Sequence, residues 1–365
     1  MKQDLLDLTI EDMMRLAAEL GEKPYRGKQL FKWIYGTSDE KKQGESGLCG
    51  KKDRGGADPE EGASGIFDRM TNLPKTFREK LEEQTVPGRV SIEEVLEDKK
   101  DGTRKFLFRI SSEYVEGVLM KYKYGNTLCL SSQIGCRMGC AFCASALGGF
   151  VRNLTAGEMM GQLLEAERYS GEKIDHIVVM GMGEPFDNYD NLSRFLNLLH
   201  DPEGRNMSWR NMTVSTSGII PGIVAFAEDF PQVNLAISLH RTDDESRSRL
   251  MPVNRKYPIK DLLEAARHYT EKTHRRITFE YALIEGENDS DRDGDALAGL
   301  LRGMLCHVNL IPLNKVEEIG MEGSSRKRAM EFADKLTSRG IPATVRRQLG
   351  DEIQGACGQL KLHRT

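Results

Sequence analysis

The chain has 365 residues, 39% of them hydrophobic and 30% charged, a profile that excludes disordered, fibrous and membrane-embedded classes and suggests roughly two domains or one large α/β domain with an appendage. No apolar run approaches the roughly 18 residues of a spanning helix, and acids interrupt the leucines of the first residues, so the sequence reads as cytoplasmic with no membrane partner. The net charge of −4 hides two basic stretches: residues 321–365 carry nine Lys/Arg against five Asp/Glu, and residues 22–36 bring Lys23, Arg26, Lys28 and Lys32 against Glu22. Such surfaces suit phosphates.

In chain order, Thr9 caps a predicted helix with an apolar stripe at Met13, Met14, Leu16, Ala17 and Leu20, closed by Gly21. A second helix carries Leu30, Phe31, Trp33, Ile34 and Tyr35 among the basic residues. Residues 37–65 hold seven glycines, many charges and Leu48 as the sole large aliphatic side chain; they cannot bury a core, are expected to be a loosely ordered insertion, and make Cys49 incidental. Helical pattern resumes over 70–81, and a strand-rich stretch covers about 90–122.

From residue 126 strands are predicted at 127–131, 176–180, 212–215, 234–238, 277–284 and 306–311, alternating with amphipathic helices such as the one that Thr155 and Glu158 open as a capping box. Six strands separated by helices predict a parallel α/β sheet, curled into a partial barrel or doubly wound. The expected organisation is a helical domain over 1–88, a β-rich connector over 89–125, a main domain over 126–348 and a tail over 349–365.

The seven cysteines are Cys49, Cys129, Cys136, Cys140, Cys143, Cys306 and Cys357. An odd count in a chain that reads as intracellular argues for reduced thiols engaged in metal or redox work. Cys136-Arg137-Met138-Gly139-Cys140-Ala141-Phe142-Cys143 places three thiolates at C-x3-C-x2-C after the first strand. Three thiolates fill three corners of a [4Fe-4S] cluster and leave one iron open, able to chelate the amino and carboxylate groups of S-adenosylmethionine. A structural zinc site would want a fourth ligand nearby. The next strand ends in Met180-Gly181-Met182-Gly183-Glu184-Pro185, where Gly183 and Glu184 are placed to hold the methionyl amino group. Later strands end in Ser215-Thr216-Ser217-Gly218 and Ser238-Leu239-His240, and the sixth runs into Asn309 and Asn314. These endings form a polar ring at the carboxyl ends of the strands.

The chain resembles the RlmN/Cfr group of radical S-adenosylmethionine RNA methyltransferases in these motifs and in Pro24-Tyr25-Arg26-Gly27-Lys28-Gln29 and Gly355-Ala356-Cys357-Gly358-Gln359-Leu360. The resemblance implies a partial (β/α)6 barrel of TIM type, with Cys136, Cys140 and Cys143 on the cluster and Gly183, Glu184, Ser215, Ser238, Leu239, His240 and Asn314 on S-adenosylmethionine. It further implies that Cys357 becomes S-methylcysteine, that Cys129 is its resolving thiol and that Glu116 is the proton acceptor. Carbon C2 of adenine is electron-poor and cannot attack a methyl sulfonium, so a radical route is required, with two S-adenosylmethionine molecules per turnover and a disulfide left at the end. The expected product is 2-methyladenosine in 23S rRNA, at the peptidyl-transferase centre, and in tRNA, 3′ of the anticodon. A flavodoxin-type protein is the expected electron donor, and a monomer the expected assembly. Rival readings are Cfr-like methylation at C8, which uses the same cysteines, a non-catalytic zinc-bound RNA-binding protein, and a radical enzyme acting on a protein or small molecule. The helix with Trp33 and Tyr35, with Arg326-Lys327-Arg328 and Arg346-Arg347, is expected to contact RNA by phosphate pairing and stacking.

Overall fold

The structure is a computed structural model and describes residues 2–36, 65–314, 319–347, 349–350, 353, 355 and 358–360. Most of the expected insertion, with Cys49, and also Cys357 therefore lie outside the described residues. Near the N-terminus, β1 (Gln3–Asp4) pairs in parallel with β2 (Thr85–Val86). The helix Ile10–Glu19 opens as expected: Thr9 Oγ1 accepts the Asp12 N–H while the Asp12 carboxylate accepts the Thr9 N–H. The helix Tyr25–Tyr35 lies so close to it that a Cβ on Gly27 would stand 2.3 Å from the Met13 carbonyl oxygen, which is why a glycine occupies that turn. The helix Lys75–Gln84 completes this region, slightly beyond the expected 70–81.

The main element is a ten-stranded sheet in the order β14-β13-β12-β11-β10-β9-β6-β5-β4-β3. Its parallel part holds β6 (Gly125–Leu130), β9 (His176–Val179), β10 (Met212–Thr216), β11 (Asn234–Ser238), β12 (Ile277–Leu283) and β13 (Cys306–Pro312), within a residue or two of the six expected strands. A seventh, β14 (Ala343–Val345), was not expected, because three residues behind a short turn leave no apolar run to read. The capping box at Thr155 and Glu158 opens the helix Ala156–Ser170, which packs on β6.

The stretch 89–125 is no separate connector. β3 (Val90–Glu97), β4 (Arg104–Ile110) and β5 (Glu113–Tyr122) continue the same sheet through antiparallel pairing of β5 with β6. A two-stranded hairpin of β7 (Gln133–Gly135) and β8 (Phe150–Asn153) brackets the cysteine loop.

Register fixes which side chains share a face, because they alternate along each strand. Lys105, Val118, Cys129 and Val178 are successive partners across β4, β5, β6 and β9, and Val178 partners Thr213 on β10. Two residues on, Ser215 partners Ala236 on β11, and one step further Ser238, Glu280 and Asn309 partner one another across β11, β12 and β13. Lys105, Glu116, Cys129, Ser215, Ser238, Glu280 and Asn309 thus stand on one face of the sheet. The opposite face, with Leu128, Leu130, Val179 and Val214, is buried in the apolar core.

Candidate active site

At the carboxyl ends of the parallel strands a cavity of ≈ 900 Å³ empty volume is lined by Cys136, Cys140 and Cys143 together with Gly183, Glu184, Ser215, Ser238, His240 and Asn314. The expected cysteine triad and six of the seven expected S-adenosylmethionine contacts therefore share one wall system. The seventh, Leu239, does not line it: its side chain is fully buried in the core and its carbonyl accepts from Arg247 Nε at 3.1 Å.

Gly183 has φ +105°, and a Cβ there would stand 2.6 Å from the Gln133 side chain, so the turn after β9 needs glycine. That turn delivers Glu184. Its carboxylate accepts the Thr216 hydroxyl and the Ser217 N–H, both at 2.7 Å, and the Phe186 N–H at 3.1 Å. Burial pushes this carboxyl up, against the hydrogen bonds from Ser217 and Thr216 that favour its ionised form. Ser217 Oγ, buried on the same wall, makes no well-formed hydrogen bond among the described residues and stands next to the Glu184 carboxylate, so it is a polar atom that a ligand can engage.

His240 sits in the left-handed region at φ +59°. Its Nδ1 accepts the Ala282 N–H at 2.9 Å and its ring meets Phe142 edge-on, with centroids 4.8 Å apart. Burial, with Arg247 and Arg241 nearby, pushes its pKa down to about 3, so the imidazole is neutral. Behind the wall the fully buried Arg247 donates to the carbonyls of Leu239, Ser217 and Ser238 and to Asn254 Oδ1. It ties the ends of β10 and β11 together.

Burial pushes the Cys136 thiol up to about 12 and the Cys140 thiol well above its ordinary value. Thiols in this setting need a cation to become thiolates, and an iron cluster supplies one. Three thiols on one cavity lining are the donor set that fills three corners of a [4Fe-4S] cluster and leaves one iron open. The three thiols, Glu184 with its hydrogen-bond cradle, the buried Ser217 hydroxyl and the apolar Met138, Phe142, Ile311 and Leu313 together fit a cluster and a polar nucleoside ligand.

Glu116 and Cys129 lie on the same sheet face but do not line the cavity; both are buried, and Glu116 pairs with Lys105 Nζ at 3.0 Å. Cys357 lies outside the described residues, and residues just after it are held by the loop following Cys143: Ala144 N donates to the Gly358 carbonyl and Ser145 Oγ to the Leu360 carbonyl, both at 2.8 Å. Sequence reading missed Thr216, Ser217, Glu280 and the supporting Arg247, and expected Arg346 to contact RNA, whereas it lines the cavity. Thr216 and Ser217 stood inside a motif already noted; Glu280 and Arg247 carry no local signature.

The expected RNA-contact residues separate. Tyr35 is fully buried and its hydroxyl donates to the Leu6 carbonyl at 2.7 Å, so it cannot stack on a base. Trp33 is half-buried with Nε1 donating to Asn72 Oδ1, Lys32 pairs with Glu203 at 2.7 Å, and Arg328 pairs with Asp291 at 2.7 Å. Tyr25, 48% exposed under the Arg26 guanidinium at 4.8 Å, is the aromatic that stands open instead.

A partial barrel with three cysteines and a glycine-glutamate turn at its carboxyl rim defines a radical S-adenosylmethionine enzyme. Residues 130–297 match the radical SAM superfamily, and residues 3–40 match the ribosomal RNA large subunit methyltransferase N-terminal domain. The chain is 46% identical to a "probable dual-specificity RNA methyltransferase RlmN" of Alkaliphilus oremlandii, over 99% of this chain and 98% of that one. It is 45% identical to the Thermoanaerobacter sp. protein of the same name, over 98% of this chain and 97% of that one. The crystal structure of a radical SAM methyltransferase from Sphaerobacter thermophilus superposes with a TM-score of 0.87 at 42% identity, covering 98% of this chain and 99% of that one. The chain belongs to the RlmN family of radical S-adenosylmethionine methyltransferases.

Proposed function

We propose that the protein methylates carbon C2 of adenosine in 23S rRNA and in tRNA, through a methyl group carried on Cys357. The observation that carries this reading is the convergence of the Cys136, Cys140 and Cys143 thiols with Gly183, Glu184, Ser215, Ser238, His240 and Asn314 around one cavity, which the chain's C-terminal segment reaches at Gly358. The relatives' printed description as dual-specificity RNA methyltransferases supports two RNA substrates.

Cluster and S-adenosylmethionine, when bound, supply a methyl group and a carbon-centred radical; two S-adenosylmethionine molecules serve each turnover. The protein's own groups do the rest. The Cys357 thiolate accepts the methyl group and tethers the base. Glu116 takes the proton from C2. Cys129, as its thiolate, then attacks the Cys357 sulfur; the sulfur–carbon bond breaks, its electron pair stays on the methylene carbon, which takes up a proton to become the methyl group, and the Cys129–Cys357 disulfide left behind is reduced by a flavodoxin-type donor. Glu116 and Cys129 share the sheet face of Ser215 and Ser238, which supports their working on one substrate from the side of the barrel.

The test uses anaerobically purified protein with S-adenosylmethionine, a reductant and either 23S rRNA or tRNA, followed by digestion to nucleosides and mass spectrometry. The expected result is 2-methyladenosine from both RNAs, absent with Cys357→Ala. 8-Methyladenosine would move the assignment to the C8 activity, and 2-methyladenosine from one RNA alone would restrict the substrate.

A further inference from the structure

The loop that lines the cavity with Cys136, Cys140 and Cys143 also has an outer side, where Arg137, Gly139 and Ala141 are exposed. Two segments grip it. Cys136 N donates to the Gly149 carbonyl and Ala141 N to the Leu250 carbonyl, both at 2.9 Å, and a Cβ on Gly139 would lie 3.7 Å from Pro252 Cγ. The first segment exposes two aliphatic side chains, Leu147 at 56% and Val151 at 41%. The second closes its short turn, Pro252–Arg255, with two exposed cations, Arg255 and Lys256. Apolar area thus stands on one flank of the loop and positive charge on the other. A third cation, Arg137, lies on the loop itself, over the Phe150 ring at 3.8 Å and paired with Asp187 at 2.9 Å.

One exposed leucine is ordinary, but two aliphatics and two cations framing a single loop of cysteines make a surface with a composition. RNA is contacted through phosphate pairing, base stacking and hydrogen bonds to base edges, and leucine and valine offer none of these. Apolar area bordered by cations suits a protein, and the sign of the charge selects an acidic one. Position narrows the choice further. On the cavity side the cluster would face S-adenosylmethionine and the RNA base. Electrons therefore have to reach it from the opposite side, across this loop, and electron transfer weakens so steeply with distance that the donor must sit close to the cysteines.

We propose that the outer face of the cysteine loop, framed by Leu147 and Val151 and by Arg255 and Lys256, docks the electron donor, a small acidic flavoprotein. This rests on the reading that the cavity holds a cluster reduced from outside. One electron passes at each encounter: the donor's reduced flavin loses it and the cluster gains it. A contact of two aliphatic side chains and a few charges is small, as suits a complex that must part after a single transfer.

The experiment measures binding of purified, oxidised flavodoxin to the cluster-loaded protein by calorimetry at low and at physiological salt, beside methylation driven either by reduced flavodoxin or by dithionite. Wild type should bind flavodoxin, and more weakly as salt rises. Arg255→Glu with Lys256→Glu should lose about 10-fold or more in flavodoxin affinity together with most of the salt dependence. Leu147→Ser with Val151→Ser should lose about 5- to 10-fold and keep the salt dependence. In both pairs iron content, S-adenosylmethionine affinity and dithionite-driven methylation should match wild type while flavodoxin-driven methylation falls. Arg255→Gln with Lys256→Gln, a milder change, decides the case if a charge-reversed protein loses its iron. No flavodoxin binding by wild type, or wild-type affinity in every variant, would overturn the proposal. Weakened RNA binding with flavodoxin binding unchanged would overturn it too and make the face an RNA contact. If dithionite gives no methylated RNA with wild type, the function proposed above fails instead, and the flavodoxin affinities still decide the docking face.

Discussion

The two halves of the ten-stranded sheet treat their shared face differently. In the parallel half, from β6 to β14, polar side chains gather at the carboxyl ends, where Ser215, Ser238, His240 and Asn314 open onto the cavity. In the antiparallel half, β3 to β5, the polar groups of that face sit mid-strand and satisfy each other, as Lys105 and Glu116 do at 3.0 Å. Parallel crossover connections bring every strand end to one rim, which makes a ligand site from residues scattered over about two hundred positions. Antiparallel neighbours instead place partners side by side. The rim therefore forms a cavity open to a ligand, while the added strands hold a paired carboxylate on the flank.

Substitutions separate the two roles. The largest effect is expected at the rim: Cys136→Ser, Cys140→Ser or Cys143→Ser removes one of the three proposed cluster ligands. Each should abolish iron incorporation, read by absorbance and iron analysis, and with it all RNA methylation. Next comes Arg247→Met, just behind the rim. It strips donors from the buried Ser217 and Leu239 carbonyls and the half-buried Ser238 carbonyl, and should cost about 3 kcal/mol in urea unfolding, with S-adenosylmethionine affinity falling alongside.

The flank responds by a different rule. Lys105→Met leaves the Glu116 carboxylate in a nearly closed environment without that cation and should cost about 2–3 kcal/mol. The pair Lys105→Met with Glu116→Gln should recover much of that loss, since no buried charge remains, while methylation should be abolished if Glu116 is the proton acceptor proposed above. A double-mutant cycle on stability and product formation reads both. Additive stability losses would show that the two side chains are supported independently.

The same contrast explains what could be read from the sequence. The cysteine loop was legible because all three ligands lie within eight residues, and the strand ends because β/α alternation tells where a strand must stop. The fusion of 89–125 into the main sheet was not legible: alternating strands look the same whether they form their own sheet or extend another, and the pairing of β5 with β6, from Val118 with Cys129 to Tyr122 with Gly125, decides it. Glu280 reads as one acid in Ile277-Thr278-Phe279-Glu280-Tyr281, with its hydrogen-bond partner Asn309 29 residues away. Tyr35 read as an RNA-facing aromatic because its neighbours are basic, but the helix turns it inward onto the Leu6 carbonyl.

The smallest expected effect concerns pH and again distinguishes rim from flank. His240 is held neutral with Nδ1 accepting the Ala282 N–H, and its pKa is pushed down to about 3 from an ordinary 6.5 by burial and by Arg247 and Arg241. Between those values the unfolded chain binds a proton there that the folded chain does not. Stability should therefore fall as pH drops below about 6.5, with this one group contributing at most about 1.4 kcal/mol per pH unit. His240→Gln, which keeps an acceptor for the Ala282 N–H but cannot be protonated, should flatten the dependence. Comparing urea midpoints at pH 6.5 and 5.5, the wild-type protein should lose about 1 kcal/mol more than the variant. Equal losses would mean that His240 takes up its proton inside the fold. The wall that carries Ser238 and His240 would then have to admit a second positive charge beside Arg247, and a cationic sulfonium ligand would bind less well as the pH fell.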